Sequence, residues 1–159
     1  MTETAAGRFT LEPVRYDSAA AAEMVEAVQR EYEIRYGGRD HTPVDPDEFA
    51  PPDGLFLVGS LDGLPVAAGG FRRNGPDAEI KRMYVAAEAR GRGLARRLLA
   101  ALEEHAAAAG YARIILETGD RQPEAISLYR SAGYVRIPNF GIHAEFDGCL
   151  CFAKDLTCG

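Results

Sequence analysis

Residues 78–110 read AEIKRMYVAAEARGRGLARRLLAALEEHAAAAG, and three patterns follow one another within them. AEIKRMYV (78–85) reads as a β-strand, whose two-residue period puts Glu79, Lys81, Met83 and Val85 on one face and Ile80, Arg82 and Tyr84 on the other. From about Gly93 to Ala109 the period becomes helical. Leu94, Leu98, Leu102 and Ala106 recur four apart with Leu99 beside them, and Gly110 ends the run. Between the two lies Arg90-Gly91-Arg92-Gly93-Leu94-Ala95-Arg96-Arg97. Its glycines let the backbone curl around an anion, and the first-turn amides of the helix lack intrahelical acceptors. Pyrophosphate is the matching ligand, with the four arginines adding attraction. The plainer alternative is a tight turn whose arginines solvate a helix end. GxxxxGK[ST] is absent, as is the third glycine of a dinucleotide fingerprint.

Working outward, RFTLEPVRY (8–16) reads as an opening strand, and Ala19 to Arg35 as a helix capped by Ser18, with Met24, Ala27, Val28 and Ile34 at apolar spacing. Gly37 to Gly54 holds four prolines and five acids, and should be an irregular loop of functional length with at most one short turn. LFLVGSL (55–61) and PVAAGGFRR (65–73) flank Asp62-Gly63, a hairpin signal, and Asn74-Gly75 leads into the strand at 78. YARIILET forms the next strand, Pro123 to Ser131 a second helix ended near Gly133, then YVRIP, and CLCFAKDL (149–156) the last strand. Strands alternating with helices argue for parallel neighbours, and the hairpins for antiparallel ones. The expectation is a single α/β domain over residues 1–159, with a mixed central sheet and flanking helices.

The 159 residues suit one core. A net charge of −6 disfavours nucleic acid and anionic bilayers as partners. No apolar run approaches a membrane span and no secretory signal opens the chain, so a cytoplasmic location is expected. The histidines at 41, 105 and 143 are scattered, and Cys149, Cys151 and Cys158 form no CxxC, so no metal is expected. Residues 1–80 carry fifteen acids against seven basic residues, and residues 81–159 nine against eleven. That division suits a cationic amine approaching a bound polyanion.

Residues 90–97 resemble motif A of the GNAT superfamily of N-acetyltransferases, Gln/Arg-x-x-Gly-x-Gly/Ala, with Arg90, Gly93 and Ala95 in the matching places. AISLYRSAGY (125–134) is similar to motif B through Tyr129, Gly133 and Tyr134. The likeness extends from the first strand to the last. It implies a GNAT fold and an N-acetyltransferase that moves an acetyl group from acetyl coenzyme A to a primary amine of a small molecule, by direct transfer in a ternary complex. A protein or peptide amine, a longer acyl group, and a non-catalytic acyl-CoA sensor are the alternatives.

By the same resemblance, Arg90, Gly91, Arg92, Gly93, Leu94, Ala95 and Arg96 hold the pyrophosphate, and Met83, Tyr84 and Val85 run along the pantetheine arm. Gln122 stands where relatives often carry Asn, one methylene longer, and keeps an amide for the coenzyme. Direct transfer needs an exit for the amine proton, polarisation of the thioester oxygen and an acid for the departing thiolate. The resemblance assigns the acid to Tyr129 and the base to Glu79, with Glu117 and then His143 as alternative bases. Glu31, Tyr32, Glu33, Tyr36, Asp40, Asp45, Asp47 and Glu48, with Phe140 to Phe146, are candidates to line the acceptor side. An edge at the final strand, or a patch between Pro138 and Leu150, would support a homodimer.

Overall fold

The computed structural model describes residues 8–156, so Cys158 lies outside the described residues. Strands β1 (Phe9–Pro13), β2 (Leu55–Leu61), β3 (Leu64–Asn74), β4 (Asp77–Val85), β5 (Arg113–Gly119), β6 (Val135–Ile137) and β7 (Cys149–Asp155) form one sheet in the order β1-β2-β3-β4-β5-β7-β6. Helices α1 (Ala19–Tyr36), α2 (Leu94–Ala108) and α3 (Pro123–Ser131) complete the mixed α/β architecture.

Local signals explain most boundaries. Ser18 caps α1 by accepting from the Ala21 amide at 3.3 Å, and Gly37 ends it in the left-handed conformation, φ 78°. Asp62 and Gly63 both take positive φ, 50° and 87°, as a two-residue hairpin turn requires. The loop after α1 contains one short helical turn, Pro46–Phe49, closed by a reciprocal capping box between Asp45 and Glu48. Ile34 departs from the apolar reading of α1: it is 80% exposed.

The sheet is covered on both faces. On one, α2 buries Leu94, Leu98, Leu99, Leu102 and Ala106 against Leu55, Leu57, Phe71, Ile80, Ile114, Leu116 and Phe152. Each such leucine contributes about 1.5–3 kcal/mol of hydrophobic stabilisation. On the other, α1 and the 46–49 turn pack Ala21, Met24 and Phe49 on Phe56, Val58 and Ala68. Tyr16 stacks on Phe49 with ring centroids 4.9 Å apart.

Two features of the topology differ from the sequence expectation. The β5–α3–β6 unit does not make adjacent parallel strands, because β7 inserts between β5 and β6 and pairs antiparallel with both. Consequently the final strand is not an edge; β6 is, with Val135 exposed on it. The parallel pairing of β4 with β5 covers only Ala78 to Ile80 against Ile114 to Leu116. Beyond those residues the two strands part, leaving a wedge in the middle of the sheet.

Candidate active site

The wedge opens into a cavity of about 710 Å³ between α1, β4, β5, the start of α2, α3 and the 143–149 segment. Its floor along β4 is shaped by a bulge. Gly70 pairs with Lys81 and Ala68 with Tyr84, so β4 carries one extra residue, and Arg82 adopts φ 62°. Gly69 sits opposite the extra residue, where a Cβ would come within 2.9 Å of the Met83 Sδ. The bulge breaks the two-residue period, so Lys81 and Arg82 turn toward the same side and both reach Asp40.

At one end of the cavity lies the Arg90–Arg97 segment. Gly91 and Gly93 have φ of 79° and 76°, and a Cβ on either would meet nothing within 4 Å. Glycine is therefore required there by backbone conformation rather than by crowding. The first intrahelical bond runs from the Arg97 amide to the Gly93 carbonyl, and no side chain caps the helix. The amides of Leu94, Ala95 and Arg96 thus precede the helix ladder, in the arrangement that receives an anion. Arg90, Gly91, Gly93, Leu94, Ala95 and Arg96 line the cavity, whereas Arg92 and Arg97 do not. Arg97 instead lies over the Phe9 ring at 4.9 Å. Arg90 is turned inward by a bond from its Nε to the Val85 carbonyl and an ion pair with Glu31 at 3.4 Å.

Met83, Tyr84, Val85, Gln122 and Tyr129 also line the cavity. Tyr129 projects from α3 between the rings of Tyr134 and Phe152, at 5.7 and 6.4 Å. Burial pushes its phenol well above the ordinary tyrosine value. The hydroxyl is therefore fully protonated at neutral pH. Glu79 is placed elsewhere. Its carboxylate pairs with Arg72 at 3.3 Å and with the Asn74 amide at 3.4 Å, and it does not line the cavity. Lys81, which sequence proximity offered as its partner, binds Asp40 instead. The placement argues against Glu79 as the proton acceptor and for a structural ion pair.

Two other acids and a histidine occupy the cavity where a base is needed. Glu117, at the parting end of β5, lies 3.1 Å from His143 Nδ1, and His143 Nε2 lies 3.8 Å from an Asp40 oxygen. Asp40 is fixed from both sides. Gln29 bonds its backbone amide and carbonyl at 2.9 and 3.0 Å, and its carboxylate accepts from the Thr42 amide and hydroxyl, Lys81 and Arg82. Burial acts to raise the Asp40 carboxyl, but Lys81, Thr42 and Arg82 outweigh it and hold the group far below the usual carboxylate range. Among the acceptor-side candidates Glu31, Tyr32, Tyr36, Asp40, His143 and Phe146 line the cavity; Glu33, Asp45, Asp47 and Glu48 do not. Asp47 is engaged by Arg15, Glu48 by Arg72 and Asp45 by its cap.

Cys149 donates to Glu117 at 3.5 Å, and donor atoms of Glu117, Cys149 and Cys151 lie within 4.8 Å of one another. Burial, then the Glu117 charge, pushes the Cys149 thiol up to about 12, the opposite of an activated nucleophile. Across the cavity mouth, Arg35 and Arg121 each donate to the other's backbone carbonyl, at 2.7 and 3.0 Å, and join the end of α1 to the loop after β5. The sequence singled out the Arg90–Arg96 turn and Tyr129, and of these all but Arg92 line the cavity. It gave no local signal for the Gln29–Asp40 brace or the joint placement of Lys81 and Arg82, which depend on a bulge and on residues some forty positions apart.

The chain matches the Acetyltransferase (GNAT) family over residues 21–134. It is 36% identical over 139 residues to the IAA acetyltransferase of Azospirillum brasilense, covering 86% of this chain and 91% of that one. A GNAT-family acetyltransferase from Staphylococcus aureus superposes with a TM-score of 0.73 at 16% identity, covering 94% and 99% of the two chains. The PaiA N-acetyltransferase of Thermoplasma acidophilum, solved with coenzyme A, gives 0.66 at 16% identity and 92% and 99% coverage. A seven-stranded sheet parted between β4 and β5, a glycine-shaped helix start facing the gap, and these likenesses have one common reading: the chain belongs to the GNAT family of acetyltransferases.

Proposed function

We propose that the protein transfers an acetyl group from acetyl coenzyme A to a primary amine of a small molecule, by direct attack within a ternary complex. The observation that carries this reading is the continuity of one cavity from the Gly91–Ala95 amides, along β4, to Tyr129 and the Glu117–His143 pair. The free helix-start amides receive the pyrophosphate, and the unpaired side of β4 runs beside the pantetheine arm. The name of the Azospirillum relative supports a small acceptor.

In this mechanism Glu117 accepts from His143 Nδ1–H, which leaves Nε2 free to take the amine proton. The amine nitrogen then attacks the thioester carbonyl carbon. As the tetrahedral species collapses, the C–S bond breaks and the protonated Tyr129 hydroxyl supplies the thiolate with a proton. The same burial that keeps the phenol protonated raises the proton affinity of the thiolate, so the transfer is not opposed by a difference in solvation. The protonated Cys149 thiol disfavours a route through an acyl-cysteine.

The test is turnover of acetyl coenzyme A with a panel of small primary amines, reading free thiol and product mass. His143→Gln should lower kcat about 100-fold or more. Tyr129→Phe should lower kcat while leaving the KM for acetyl coenzyme A within about twofold. Parental rates from both variants would refute the assigned proton path, and thiol release without acetylated product would refute amine transfer.

A further inference from the structure

The acceptor side of the cavity holds two buried cations that contact a single carboxylate. Lys81 and Arg82 are consecutive, 7% and 5% exposed, and both line the cavity. Among the described residues, Asp40 is the one carboxylate in ion-pair contact with either. Two buried cations thus share one anion whose oxygens also accept from Thr42. The Gln29 brace on its backbone holds Asp40 in place, and burial keeps the Tyr32 hydroxyl beside Arg82 neutral. Arg82 Nε is buried without a hydrogen-bond partner among the described residues. Glu117 is bonded by His143 and Cys149 and makes no ion-pair contact with either cation among the described residues. Two buried cations thus have one carboxylate in direct contact, and a buried cation gains from each further charge-assisted bond that a ligand oxygen supplies.

We infer that the acceptor itself supplies a second carboxylate to this pair: the protein acetylates small primary amines that also bear a carboxylate, with the carboxylate at Lys81–Arg82 and the amine at His143. This rests on the acetyl-transfer reading above and narrows its substrate class. The two subsites are neighbours, because Asp40 touches both cations and lies 3.8 Å from His143 Nε2. One short molecule can span them. A polyamine brings a second cation beside Lys81 and Arg82 and is opposed by like-charge repulsion. The chemistry balances as before: the amine loses one proton to His143, its nitrogen bonds the acetyl carbon, and coenzyme A leaves as the thiol, while the carboxylate takes no part beyond anchoring.

The experiment compares matched acceptors on the unmodified protein with acetyl coenzyme A: α-, β- and γ-amino acids, their carboxamides, their decarboxylated amines, and polyamines, with thiol release and product mass as readouts. The carboxylated member of a matched set should show a kcat/KM about 100-fold above its carboxamide, mostly through KM. Lys81→Met should reduce that ratio to below about tenfold. Because the ratio is measured first on the unmodified protein, misfolding of the variant would not rescue the proposal. If a carboxamide or polyamine is acetylated as well as its carboxylated counterpart, the anion subsite is refuted and amine acetylation stands. If no amine in the panel yields an acetylated product, the acetyl-transfer reading fails and the subsite fails with it.

Discussion

Replacing Gly93 by alanine separates what the turn does for folding from what it does for the ligand. Gly93 sits at φ 76°, ψ 14°, and an added Cβ meets nothing within 4 Å, so the perturbation is one of backbone conformation alone. Holding an L-residue in that region costs about 1–2 kcal/mol, which lowers the unfolding midpoint of a domain this size by about 2–8 °C. If the turn relaxes instead, the amides of Leu94 to Arg96 lose their aim. Loss of one charge-assisted bond to a phosphate costs about 1.5–3 kcal/mol, or roughly 10- to 100-fold in Kd. Gly75 provides the control: it lies in the β3–β4 turn at φ 59°, equally open, and outside the cavity lining. Thermal unfolding and calorimetric titration with coenzyme A on both variants make the comparison. Gly75→Ala should lose stability and keep coenzyme affinity, whereas Gly93→Ala should lose affinity as well. If Gly93→Ala binds coenzyme A as tightly as the parent, the anion site is not built on that turn. If neither variant is destabilised, the conformational argument itself is wrong.

Asp40→Asn leaves Lys81 and Arg82 without a counter-charge and should destabilise the protein by about 3 kcal/mol at pH 7 in urea unfolding. The lowered Asp40 carboxyl contributes stability that is complete above the ordinary carboxylate value and is lost as pH falls toward its folded value. The gap between parent and variant should therefore narrow below about pH 4. Glu79→Gln should weaken stability through the loss of the Arg72 pair while leaving kcat within about twofold; a kcat loss of about 100-fold would restore Glu79 as the base. Cys149, with its thiol near 12, should react with iodoacetamide at pH 8 about a thousandfold more slowly than a free thiol. Peptide mass mapping follows it separately from Cys158, and alkylation at the rate of a free thiol would contradict the assigned environment.

The parts of the molecule that announce themselves in sequence are those set by near neighbours. Leucines four apart specify α2, Asp62-Gly63 specifies the hairpin, Ser18 and Gly37 bracket α1, and Arg90 to Ala95 mark the anion turn. What sequence conceals comes from distant pairings. The insertion of β7 between β5 and β6 is a choice among neighbours that no local period encodes. The bulge at Arg82 shifts the faces of β4 by one residue, which defeats the alternation that grouped Glu79 with Met83 and Val85 and set Arg82 on the opposite face. The acidic count of residues 1–80 suggested an anionic acceptor wall. In the folded chain many of those acids pair with arginines, and the wall gains Lys81 and Arg82.

The parting of β4 from β5 has a consequence for how the protein coexists with its neighbours. A row of unsatisfied strand amides and carbonyls ordinarily invites other chains to add themselves, and proteins guard their outer margins against it. Here such a row lies inside the sheet, where β4 and β5 part beside the cavity, rather than along an outer margin. The open main-chain groups of these two strands are thus held within the fold instead of at its rim.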